Sequence, residues 1–128
     1  MPTTPISPNT ACATIAAAGY RADGRLMEGN LGDHARASTD AFLNHEAYRA
    51  DPWNYVRPNG ESMAHVHARA GRFLAGLTRD SVIVTHALPC TTIRAHYLGL
   101  SQEDAIGYHM SHAGILRLSM GTEALFGA

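Results

Sequence analysis

Apolar residues at Met63, Val66, Ala70, Phe73, Leu74 and Leu77 recur at intervals of three and four, which gathers them on one face of a helix. The spacing predicts a helix through "SMAHVHARAGRFLAGL", beginning after Ser62. The run "SVIVT" has a different pattern, continuous and β-branched without alternation. Such a run suits a strand covered on both faces in a parallel sheet. A helix from about Pro89 to Leu98 follows, with Gly99 as its stop. Ser101 and Asp104 have the spacing of a capping pair for a further short helix, and "GILRLSM" supplies a last strand.

Nearer the N-terminus, "SPNTACATIAAAG" can carry a short helix, with Pro8 near its first turn and Gly19 past its end. "RADGRLME" reads as a turn leading to a short strand, and "GNLGDHARAS" as a glycine-bearing loop. Ser38 or Thr39 can cap a helix through "DAFLNHEAYRA" that Pro52 stops, and the loop "DPWNYVRPNGES" follows. The order helix, strand, helix, helix, strand predicts an α/β fold, layered α/β/α with a mostly parallel sheet, in one domain over residues 1–128. Ligands in such folds bind beyond the C-terminal ends of the strands, where His86 falls in "VIVTHALP".

Composition narrows the function. The 128 residues are 45% hydrophobic and 16% charged, enough for one core. A net charge of -1, without a polybasic stretch, argues against nucleic-acid and membrane-surface partners. The two cysteines, Cys12 and Cys90, form no C-x-x-C pair, and the N-terminus lacks the basic start of an export signal, so the expected location is cytoplasmic. Every basic residue is arginine. The absence of lysine excludes P-loop nucleotide chemistry and a Schiff-base mechanism.

If Pro89 lies in a first helical turn, backbone N–H groups around Ala87, Leu88 and Cys90 share a space with the His86 imidazole. That helix start can hold a phosphate or carboxylate, the alternative being a structurally satisfied histidine. Cys90 can carry a lowered thiol pKa at such a position or serve as a small buried apolar residue. Eight histidines raise the question of a metal. His65 and His67, two apart on a helix, point to different faces. Glu28, His86 and either His109 or His112 could make a three-ligand site with an open position, but no recognised zinc spacing occurs. No metal or cofactor is expected. Trp53 and Tyr55 either line a pocket or cover a core edge.

These segments resemble a known family. "SVIVTHALPCTTIRAHYLGL" is similar to the second histidine motif of the histidine phosphatase superfamily, which includes the cofactor-dependent phosphoglycerate mutases. "RLMEGNLGD" resembles the family's Leu-x-Glu-x-x-x-Gly segment, which implies that Glu28 is the general acid. "RPNGES" resembles its Pro-Gly-Gly-Glu-Ser turn, with Asn59 at the first glycine, and "SPNTACATIA" its Ser-Pro segment. The likeness runs from about Ser7 to Leu118 in collinear order, and Arg94 falls where the family often has arginine.

The same resemblance exposes departures. The family's first strand carries Arg-His-Gly, whose histidine is phosphorylated and whose arginine grips phosphate; no such tripeptide occurs in this sequence. Ala11 stands where a second family arginine is usual, and His34 and Arg36 replace a tryptophan and a glycine. Loss of a covalent nucleophile from a cooperating site can cost on the order of a millionfold in rate. Each lost electrostatic clamp costs roughly a further hundred- to thousandfold. The resemblance therefore implies a hydrolase of phosphate esters with weak or altered activity, His86 and Glu28 acting catalytically and His86, Ala87 and Leu88 holding the phosphate. Two alternatives stand beside it: a non-catalytic phosphate- or partner-binding pseudoenzyme, and a phosphatase whose first strand is encoded upstream. The expected ligand is a small phosphorylated molecule or other anion. Without the family's interior first strand, the open groove calls for rearranged strand order, exchange with an identical chain or a different partner protein, of which a homodimer by pairing or swapping is the expectation.

Overall fold

A computed structural model describes residues 20–108 and 114–127. Among these, five α-helices follow one another: α1 Thr39–Leu43, α2 Glu46–Ala50, α3 Met63–Ala75, α4 Ala87–Leu98 and α5 Gln102–Ile106. Short 3-10 helices at Gly24–Leu26 and Gly32–Arg36 precede them, and the strands β1 Ile115–Ser119 and β2 Thr122–Phe126 come last.

Helix α3 follows its apolar periodicity. Met63, Val66 and Ala70 form its buried stripe, and Ser62 starts it in a reciprocal cap. The Ser62 hydroxyl accepts the His65 N–H at 3.1 Å, while the Ser62 N–H donates to His65 Nδ1 at 3.2 Å. Histidine thus fills the place usually held by glutamate or glutamine. This use of His65 separates it from His67, which lies against Trp53 and stacks on His96.

Helices α3 and α4 pack against each other, and their closest approach depends on Gly71. A Cβ at that position would meet the His96 imidazole at 2.6 Å. Helix α4 begins two residues earlier than expected, with His86 as its N-cap and Pro89 in the third helical position. Proline is tolerated there because the first-turn N–H groups lack intrahelical partners in any case. Gly99, at φ 65°, ends the helix in the left-handed region. Ser101 caps α5 by accepting the Asp104 N–H at 3.1 Å, as its spacing predicts. Trp53, Met63, Ala95 and Ala105 form a buried cluster that joins these helices to the proline-bounded loop.

Two local expectations are corrected and a third is refined. The single helix through "DAFLNHEAYRA" is two, broken at Asn44 and His45, where His45 turns extended to become the N-cap of α2. "RADGRLME" forms a 3-10 turn in place of a strand, because the Asp23 carboxylate accepts the Arg25 N–H at 2.9 Å and also binds its guanidinium. "GNLGDHARAS" is a loop that includes the 3-10 helix Gly32–Arg36.

The sheet differs most from expectation. Residues 81–85 pair with no strand among the described residues, and Val82 is 92% exposed. The segment is held instead by Thr85, whose hydroxyl donates to the Leu26 carbonyl at 2.6 Å. The described sheet is an antiparallel hairpin, with Ile115 opposite Phe126 and Ser119 opposite Thr122. A mostly parallel layered sheet is not present among the described residues: a β-branched run becomes a sheet strand only where a neighbour accepts its backbone hydrogen bonds. The first hairpin strand was foreseen from "GILRLSM", its partner was not. Met120 and Gly121 make the turn, both with positive φ, as a two-residue hairpin loop requires. Arg94 ties α4 to this hairpin through Glu123, at 2.6 and 2.7 Å, a structural contact.

The expected helix within "SPNTACATIAAAG" lies outside the described residues, as do Ala11, Cys12, His109 and His112. No described helix is long and apolar enough to cross a membrane.

Candidate functional site

Glu28 and His86 come together at the start of α4. His86 is the N-cap residue, extended at φ -106° and ψ 178°, and its side chain makes no capping bond. Its Nε2 is buried without a hydrogen-bond partner among the described residues. An orphaned ring nitrogen in such a place is costly unless a ligand or proton transfer uses it. Glu28 reaches the same helix start from the other side. Its Oε1 accepts the Leu88 N–H at 3.2 Å and the Gly29 N–H at 2.9 Å.

Gly29 permits this approach. A Cβ there would lie 2.5 Å from Leu88 Cδ1, so a side chain at this position would require the Leu88 side chain to shift. Arg69 of α3 holds the segment from beneath. It donates to the Arg25 carbonyl at 2.8 Å and the Glu28 carbonyl at 3.1 Å, and forms a salt bridge with Glu61 at 3.0 Å. Glu61 in turn accepts the Asn30 N–H at 3.0 Å. Burial pushes the Glu61 carboxyl up, but the bonds from Arg69 and Asn30 outweigh it and hold the group below its ordinary value.

The three residues expected to contact phosphate are thus placed differently. His86 keeps an unengaged nitrogen, and Ala87 lies exposed at the first helical position. The Leu88 N–H is occupied by Glu28, so an incoming anion would have to compete with that carboxylate for it. Cys90 does not have a lowered thiol: burial, its largest influence, pushes the pKa up against the weaker opposing effect of Arg94. The helix start lowers a thiol only where the sulfur stays solvated enough to ionise. Of the three-ligand metal possibility, Glu28 and His86 are adjacent, while both third candidates fall outside the described residues.

A cavity of about 450 Å³ opens beside this helix start, reaching Ala87, Leu88 and Thr91 on one side and Phe42, Tyr48 and Arg57 on the other. Arg57 escaped the sequence reading. It is 3% exposed and donates to the Glu61 carbonyl at 2.6 Å, while its Nε has no partner among the described residues. Its guanidinium carbon lies 5.2 Å from the centroid of the Phe42 ring. Burial pulls its pKa down from the usual value, opposed by Tyr48, Glu61 and Glu28 nearby. The available signal was an arginine directly before proline in "RPNGES", in a chain where arginine is the sole strong cation. Trp53 covers the core, and Tyr55 pairs with His34 Nε2 at 2.8 Å.

The family model described as histidine phosphatase superfamily (branch 1) matches residues 9–125. The chain belongs to that superfamily. A comparison with the curated proteins returns no match. Membership makes a phosphatase-like kind of function the frame in which Glu28 and His86 are read.

Proposed function

We propose that the protein hydrolyses phosphate monoesters with weak or altered turnover, His86 contacting or attacking the phosphoryl group and Glu28 giving the proton to the leaving oxygen. The net reaction consumes water and releases an alcohol and inorganic phosphate. The observation that carries this reading is the convergence of Glu28 and the unengaged His86 Nε2 on one helix start from positions far apart in the chain. Arg57, buried and short of partners beside the same cavity, adds the cation that a phosphoryl group needs. The reaction uses no cofactor or metal, and the sparse cysteines suit a cytoplasmic setting.

Weak turnover follows from the missing Arg-His-Gly tripeptide and from Ala11. The test is phosphate release from a panel of alkyl and aryl phosphate monoesters by the purified protein, beside His86→Ala. Slow release that the variant loses supports hydrolysis; rates equal in the two proteins overturn it.

A non-catalytic, phosphate-binding role has its own support, since the Glu28 carboxylate already occupies the Leu88 N–H. Binding of inorganic phosphate without turnover of any ester would select it. Either role is compatible with a homodimer, in which residues 81–85, paired with no strand among the described residues, meet the same segment of a second copy. Sedimentation that shows only a monomer at high micromolar concentration would exclude the dimer.

A further inference from the structure

The cavity beside the helix start has a composition that bears on what it takes. Among the described residues that line it there is no aspartate, glutamate, asparagine or glutamine. Its walls are mostly apolar, with Leu31, Phe42, Leu43, Met63 and Ile106, and the neutral polar side chains are Thr91, the phenols Tyr48 and Tyr108, and His34, whose Nε2 is already taken by the Tyr55 hydroxyl. Arg57 supplies the one permanent charge in this lining. Buried at 3% exposure, it faces Phe42 and has no carboxylate paired to it among the described residues.

These facts separate ester classes. A polyol or sugar phosphate brings several hydroxyls, each of which costs free energy to bury without a hydrogen-bond partner. Polyol sites commonly carry carboxylates and amides for this, and here the lining offers only the Thr91 hydroxyl and two phenols against a larger apolar surface. An aromatic or other apolar group loses nothing on leaving water and gains contact with the aliphatic and aromatic walls. Size agrees: a cavity of about 150 Å³ already accommodates benzene, and this one measures about 450 Å³. The charge requirement agrees too, because an under-paired guanidinium favours an anionic group on the same ligand.

We propose that this cavity recognises phosphate monoesters of aromatic or similarly apolar alcohols, the ring lying against Phe42 and Leu43 and the phosphate turned toward Arg57 and the first turn of α4 at Ala87 and Leu88. The proposal rests on the reading of the α4 start as a phosphate site and adds the identity of the organic half of the ligand. Arg57 becomes a binding residue, and the Leu43 wall a specificity determinant.

Calorimetry on the full chain tests this without depending on turnover, using phenylphosphonate, glycerol 1-phosphate and inorganic phosphate. Phenylphosphonate is expected to bind about ten- to hundredfold more tightly than the other two, the range that an apolar pocket's discrimination allows. Arg57→Met should weaken all three ligands. Leu43→Ser, at a half-exposed rim position and with folding checked by circular dichroism, should weaken phenylphosphonate severalfold and leave inorganic phosphate unchanged. Equal affinity for the three ligands, or a Leu43→Ser variant that binds phenylphosphonate as the parent does, overturns the ester class while leaving the phosphate site intact. Failure of every ligand to bind overturns both the phosphate site and the proposal built on it.

Discussion

The Glu28 carboxylate accepts the backbone N–H of Leu88 at 3.2 Å, across 60 residues of chain. That bond fastens the loop carrying Glu28 to the helix whose N-cap is His86. Arg69 supports the same loop from beneath through the Arg25 and Glu28 carbonyls.

Arg69→Met should therefore act at a distance. It removes donors from two backbone carbonyls and leaves Glu61 without its cation in a partly buried place. The expected cost is about 2–4 kcal/mol, nearer the upper end if Glu61 stays charged. Urea unfolding monitored by circular dichroism measures it, and a loss below about 0.5 kcal/mol would show that the Glu28 loop is held by something else.

Gly71→Ala should destabilise by about 1–3 kcal/mol through overpacking, because the new methyl meets the His96 ring. Truncating that ring as well, in Gly71→Ala/His96→Ala, should recover part of the loss and make the two changes non-additive. Simple additivity in a double-mutant cycle would contradict the close approach of α3 and α4.

Stability should fall as pH drops below neutrality. Burial, with a smaller contribution from His96, holds His67 below its ordinary value of 6.5. The unfolded chain then takes up a proton that the folded chain refuses, so folded stability is full above about pH 6.5 and declines as pH falls toward the depressed folded value. Thermal midpoints across pH 7.5 to 5.5 should decline more steeply in the parent than in His67→Gln. Parallel curves would remove His67 as the source.

A second decline belongs to Glu61. Its folded pKa lies below the ordinary 4.5, so the stability it contributes is present above that pH and lost as pH falls through the folded value. Glu61→Gln should be less stable at pH 6 and show a shallower acid transition, readable by tryptophan fluorescence from the buried Trp53. An acid transition as steep as the parent's would exclude Glu61 as its source.

Helices α3, α4 and α5 were legible because their signals are local. The Ser62 and Ser101 caps, the apolar stripe at Val66 and Ala70, and the Gly99 stop lie within a few residues of what they determine. Arg57 and Arg69 were not legible as site residues, since what they do is set by tertiary packing: Arg69 reaches carbonyls 41 and 44 residues away. The "SVIVT" run announced a strand by composition, yet strand pairing needs a neighbour that composition does not supply. Cys90 went the other way from its suggested lowered thiol because burial outweighs the helix start. Glu28 and His86 were singled out through the family resemblance, and no spacing rule places Glu28 at the helix start that His86 caps.

The most direct measurement of the central claim is kcat/KM for release of inorganic phosphate from one phosphate monoester by the parent, His86→Ala, Glu28→Gln and the double variant, with folding checked by circular dichroism. The account predicts slow but measurable release by the parent, a loss of at least about a hundredfold in each single variant, and a double variant little worse than the poorer single one. Release that persists unchanged in both single variants, or a parent that releases no phosphate, would contradict it.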